Sequence, residues 1–166
     1  MAQKVKLSTI ADALKVSTAT VSLALRDSPL VAEATREKIK EQASLLGYIY
    51  NRRAASLRTS RSGIVGVVVH DIMNPFYAEI LRSIETELDK SRQTFVLSNH
   101  YDSVEKQRNF LETLMQLGAD GVIMSPAIGT PASDIKLAED NGLPAVLIAR
   151  SIENAAVPVF RGDDSF

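Results

Sequence analysis

The run Ile64-Val-Gly-Val-Val-Val69 is apolar at every position, and the stretch that follows it repeats its apolar residues at the helical interval instead. A strand with no polar face needs cover on both sides, which means the interior of a parallel sheet flanked by helices. The alternation then recurs. Ala78 to Ser91 puts Ile80, Leu81, Ile84 and Leu88 on one helical face, Thr94 to Ser98 reads as strand and Val104 to Leu117 as helix. Gly121 to Met124, Ser133 to Asn141 and Ala145 to Ile148 continue as strand, helix and strand. Such a chain predicts a doubly wound parallel sheet over residues 63–166, with a small ligand held at the carboxyl ends of the strands. The residues expected at those ends are His70, Asp71, Asn99, His100, Ser125 and Arg150.

Upstream of Gly63 the only period is helical. Ile10, Ala13 and Leu14 share one face of a short helix that Ser8 or Thr9 can cap, and Val21, Ala24 and Leu25 share one face of another capped by Ser17. Val16 sits in the turn and can plug the angle between them. Thr18, Ala19, Ser22 and Leu23 are then left on the outward face, small enough for that helix to sink into a major groove. The bland alternative is a plain helical hairpin in an all-α core. A third helix runs from Ala32 to Leu46, with Thr35, Ile39, Ala43 and Leu46 at helical spacing and Gly47 placed to end it. Tyr48 to Ser62 follows, basic at both ends and helix-compatible around Arg53 to Leu57.

The order of these pieces is specific. A helix-turn-helix, then Ala34-Thr-Arg-Glu-Lys-Ile39, Leu46-Gly-Tyr48, Asn51-Arg-Arg-Ala-Ala-Ser-Leu-Arg58 and Gly63-Ile-Val-Gly-Val-Val-Val69, closely resembles the lac repressor (LacI/GalR) family of bacterial transcription regulators. The resemblance implies a head at residues 1–50, a hinge at 51–62 and part of an effector-binding, dimerising core at 63–166, with a fold like that of periplasmic binding proteins. It implies that Thr18, Ala19 and Leu23 read bases, and that Leu57 is wedged into the minor groove by a hinge that becomes helical on DNA. Such a wedge costs a few kcal/mol of unstacking, offset by contacts to the kinked duplex. Ser17, Thr20, Ser22, Asn51, Arg52 and Arg58 are expected on phosphates or groove edges. Relatives often carry a polar or basic residue where Leu23 stands; leucine can meet a thymine methyl but cannot bond guanine. Lys15 stands where a glycine is common, and a positive φ there would cost about 1 kcal/mol.

From their place at the strand ends, His70, Asp71, Asn99, Ser125 and Arg150 are expected to contact a small effector, which the resemblance implies is a sugar or nucleobase. Phe76 and Tyr77 match an aromatic pair that packs on the effector in purine-sensing relatives. Members of that family are much longer, and this sequence stops at Val157-Pro-Val-Phe-Arg-Gly-Asp-Asp-Ser-Phe166. Half of the cleft is therefore expected to be missing and the effector response impaired.

Charge divides the chain in the same place. Residues 1–62 hold 11 Lys or Arg against 5 Asp or Glu, net +6, and residues 63–166 hold 8 against 15, net −7. A basic head on an acidic body suits phosphate attraction. The expected partners are an operator duplex, a second copy of the chain, since one head reads only a half-site, and the effector. Without cysteine there is no disulfide framework, which fits a reducing cytoplasm. Neither a signal peptide nor a membrane-spanning run is seen. No phosphate loop, dinucleotide fingerprint, nucleophile elbow or zinc-protease motif occurs, so no enzyme and no cofactor is expected. A site built on His70 and His100 is the one metal possibility weighed, and no metal is expected; Asp163-Asp164 reads as a terminal loop or cap. The other class considered is a sugar-binding module of the periplasmic type, which would carry an export signal where this chain carries its basic head.

Overall fold

The computed structural model describes residues 5–50 and 61–162. The chain divides into two compact units, Met1–Arg52 and Arg53–Phe166.

In the first unit α1 spans Leu7–Leu14, α2 Thr18–Ala24 and α3 Glu33–Leu45. They close on a small core of Ile10, Ala11, Val21, Ala24, Val31, Ile39 and Ala43, with Leu14, Val16, Leu25 and Tyr48 packed on its edge. Two local expectations need correcting. Ala13 is exposed and Ala11 is buried in its place. The helix also starts earlier than Ser8 or Thr9 would allow as caps: Lys6 is the cap residue, and its N–H donates to Thr9 Oγ1 at 3.4 Å. Ser17 caps α2 as expected, accepting from Thr20 N at 3.0 Å.

The turn between α1 and α2 explains the position of Lys15. Lys15 has φ 54° and ψ 42°, its N–H reaches Asp12 O at 3.4 Å, and Val16 N–H reaches Ala11 O at 3.0 Å. This is the left-handed closure that exhausts a helix's last carbonyls, and it normally selects glycine. Gly47, at φ 65°, closes α3 in the same way, with Tyr48 N bonded to Ala43 O at 2.8 Å.

The second unit is a five-stranded, all-parallel sheet in the order β2-β1-β3-β4-β5. The strands are β1 Ile64–Val69, β2 Thr94–Asn99, β3 Gly121–Met124, β4 Ala145–Ile148 and β5 Val159–Phe160; the helices are α4 Pro75–Lys90, α5 Val104–Leu117 and α6 Ala132–Asp140. The α/β expectation holds, with shifted boundaries. α4 begins before Ala78 because Asn74 accepts from Phe76 N at 3.0 Å and Pro75 opens the first turn, where its missing N–H costs nothing. β5 was not foreseen: two exposed residues carry no period, and only pairing with Leu147 and Ile148 defines the strand.

Cover on both faces follows from alternation along β1. Val67 and Val69 face α4 through Tyr77, Ile80, Leu81 and Ile84, while Val68 faces α5 and α6 through Leu111, Leu114 and Ile135. Gly66 shares the α5 face, and a Cβ there would lie 2.1 Å from Leu114 Cδ1. The missing side chain lets α5 sit that close. No helix among the described residues is long and apolar enough to cross a membrane.

Candidate nucleic-acid interface and strand-end site

On the head, α2 offers one accessible turn. Thr18 and Ala19 are exposed beside the exposed cap Ser17. Ser17 Oγ and Thr20 Oγ1 share a 2.8 Å hydrogen bond, so cap and helix present a fixed pair of hydroxyls. Ser22 is half-buried, and its carbonyl accepts from Arg26 Nε at 3.0 Å. Leu23 departs from the outward placement expected of it: it is half-buried and packs against the head's core. The short α2 turns its side chain partly inward because position 23 lies between buried Val21 and Ala24. Asn51, Arg52, Leu57 and Arg58 lie outside the described residues.

In the second unit the chain steps from β1 to β2 on one side and then to β3 on the other. The strand order reverses between β1 and β3, where open parallel sheets leave a crevice at the carboxyl ends. Asn99 ends β2, and His70, His100, Ser125 and Arg150 follow strands at that end. The residue that gathers them is one the sequence reading missed, Asp102. Its Oδ1 accepts from Arg150 Nη1 at 2.5 Å and from Ile128 N at 3.2 Å, while Oδ2 stands 3.2 Å from His70 Nδ1. Arg150 also donates to Pro126 O at 3.2 Å. No sequence signal marked Asp102; it sits in the turn after β2, where Tyr101 and Asp102 both take positive φ, at 48° and 59°.

The cluster has a defined electrostatic balance. Burial pushes the Asp102 carboxyl up, but the hydrogen bonds from Arg150 and Ile128 and the charges of Arg150 and His70 outweigh it and hold it below its ordinary value. His100 is fully buried, and burial lowers its pKa against the opposing pull of the Ser125 carbonyl and Asp102. Its Nδ1 accepts from Asp102 N at 2.9 Å and its Nε2 lies 2.7 Å from Ser125 O, which puts the ring proton on Nε2.

Ligand atoms of His70, His100 and Asp102 come within 4.8 Å of one another. The donors do not suit a cation, because both His100 nitrogens are already bonded within the protein and the Arg150 guanidinium occupies Asp102.

The remaining expected ligand residues separate into two groups. Tyr77 and Ser125 are buried and bonded to each other, OH to Oγ at 2.9 Å. Asp71 is spent locally, its Oδ1 accepting from Met73 N at 2.9 Å. Phe76, by contrast, is 48% exposed and edge-on to Tyr77. Asn99 donates to Tyr101 Oη at 3.1 Å, but its buried Oδ1 has no hydrogen-bond partner among the described residues. The buried His70 Nδ1 likewise makes no hydrogen bond among the described residues, its neighbour being Asp102 Oδ2 at 3.2 Å. Buried polar atoms are rarely left so, and two at the ends of neighbouring strands call for an explanation.

Residues 6–51 match the family described as bacterial regulatory proteins, lacI family, and residues 62–165 match that of periplasmic binding proteins and sugar binding domain of LacI family. The chain belongs to the LacI family. Among its LacI relatives, the maltose regulon regulatory protein MalI of Escherichia coli (strain K12) is 31% identical over 98% of this chain and 48% of that protein. The ribose operon repressor of Halalkalibacterium halodurans is 33% identical over 90% of this chain and 44% of the repressor. A LacI family transcriptional regulator from Silicibacter pomeroyi shares the fold with a TM-score of 0.76 at 26% identity, over 93% of this chain and 46% of that one. The chain spans about half the length of the relatives it matches.

Proposed function

We propose that this LacI family chain is a sequence-specific DNA-binding transcriptional regulator, a repressor that acts as a homodimer on a palindromic operator in the cytoplasm. The observation that carries the reading is the exposed first turn of α2, with Thr18 and Ala19 beside the Ser17 cap, inside the segment matched to lacI regulatory proteins. Thr18 and Ala19 read base edges by a hydroxyl and a methyl, and Leu23 contributes apolar contact through the part of its side chain that stays accessible. Ser17, Thr20 and Ser22, with Asn51, Arg52 and Arg58, set register on the phosphates, and Leu57 wedges the minor groove. The named relatives are regulators, and the chain's role is regulation without catalysis. A sugar-binding module with no DNA role has no use for the head that precedes residue 62.

Selection of bound fragments from genomic DNA tests this directly. Recovery of one palindromic sequence is expected, with Thr18→Ala shifting base preference and Leu57→Ala weakening the selected site more than bulk DNA. Equal losses on every sequence for both variants would overturn the assignment of reading roles.

The strand-end cluster we read as one wall of an effector site for an uncharged, hydroxyl-rich or amide-rich molecule, a sugar or a nucleobase. Arg150 and Asp102 neutralise each other there, which leaves the Asn99 Oδ1 for a neutral hydrogen bond and exposed Phe76 for stacking, with His70 beside the pair. Asp71, Tyr77 and Ser125 belong to the scaffold behind this wall. Calorimetric titration against panels of sugars and nucleobases checks the class: from one wall of a cleft only a weak heat is expected, and Asn99→Ala should abolish it.

A further inference from the structure

The first strand of the core is entered through an unusual joint. Gly63 turns the chain at φ 72°, and the groups on either side of that turn are held by one carboxylate. Asp120 Oδ1 accepts from Ser62 N at 2.7 Å and from Ser62 Oγ at 3.1 Å, and Asp120 Oδ2 accepts from Gly63 N at 3.0 Å. The Ser62 hydroxyl in turn accepts from Ile64 N at 3.1 Å. Asp120 is itself fixed on both sides. Its N–H donates to Ile64 O at 2.7 Å, and it follows the left-handed closure of α5 at Gly118, where Ala119 N bonds Leu114 O at 2.9 Å.

A carboxylate taking three donors makes charge-assisted bonds, shorter and stronger than neutral ones. The parallel ladder of β1 and β3 starts at the pair Val65 and Gly121, so Asp120 extends the pairing by side chain where the backbone ladder stops. The clamp lies at the amino ends of the strands, at the opposite end of the sheet from the strand-end site. It defines the point at which the segment from the head becomes part of the core.

We infer that Asp120 is a positioning residue for DNA binding: by holding Ser62 through both N and Oγ and Gly63 through N, beyond the Thr94 N bond to Gly63 O at 2.9 Å, it sets the residue at which the segment from the head is fixed to the core. That fixed point sets the spacing at which two heads can reach their half-sites. The inference rests on the DNA-binding reading above. Asp120→Asn keeps the shape of the side chain but replaces one acceptor oxygen with a donor that faces other donors. Ser62→Ala removes the hydroxyl alone and leaves the sheet intact.

The experiment uses the whole chain and a duplex selected by it from a random-sequence library, together with versions carrying one base pair more or fewer between the half-sites. The unsubstituted chain is expected to lose about tenfold in affinity on either altered spacing, an effect of the size of a mismatched site. Asp120→Asn is expected to discriminate the spacings by less than about threefold, Ser62→Ala to fall between, and both to keep the affinity for bulk DNA. A variant that loses thermal stability but retains the full spacing preference overturns the inference. Should Asp120→Asn not fold, Ser62→Ala decides by the same comparison. An unsubstituted chain that ignores DNA altogether sinks the functional reading and this one with it, a result distinguishable from unchanged spacing preference in the variants.

Discussion

Single residues carry two predictions about stability. Lys15 occupies a left-handed position that side chains with a Cβ adopt at a cost, and its side chain is exposed. Lys15→Gly is therefore expected to stabilise the head by about 1 kcal/mol in urea unfolding. His100 predicts a pH dependence. Its folded pKa lies below the ordinary 6.5 because it is buried and held neutral between Ser125 O and Asp102 N. The unfolded chain thus takes up the proton first as pH falls, so the stabilisation is complete above about pH 6.5 and drains away through the folded value below it. Unfolding followed by denaturant across that range should show the slope in the unsubstituted chain and a reduced one in His100→Asn. His100 was legible as a residue at a strand end, but its tautomer was not, because that depends on the Ser125 carbonyl just after β3 and an N–H two residues on.

Elements were read well where their period was long and poorly where it was short. α5 and β3 fall at the expected residues, because the chain supplied a full amphipathic run for one and a bounded apolar run for the other. β5 had no such signal and depends on a neighbouring strand, whereas the start of α4 is marked by the Asn74 cap and Pro75 ahead of Phe76 and Tyr77, outside the amphipathic run. Gly66 shows what periodicity hides. In the sequence it is one apolar letter of β1, whereas in the packed sheet it is the gap that Leu114 fills. Leu114 is fully buried and must shift to admit a Cβ, so Gly66→Ala is expected to destabilise the core by about 1–3 kcal/mol, read as a lower urea midpoint.

At the scale of the whole molecule, the charge division makes the sharpest forecast. A head segment of net +6 that binds through phosphates releases counterions. Affinity for a mixed DNA pool should therefore fall by about a thousandfold between 50 and 200 mM salt, as expected of six or more phosphate contacts. A flat titration by fluorescence anisotropy would contradict phosphate-based binding. The order of elements, the family and the outward turn of α2 were all determined by local patterns, because caps, periods and charge runs are written in neighbouring residues. The clamp of Asp120 on Ser62 and Gly63, the gathering of His70 and Arg150 around Asp102, and the half-burial of Leu23 were decided only on folding. Each depends on groups brought together by packing, and no short window of sequence records which strand will lie beside which.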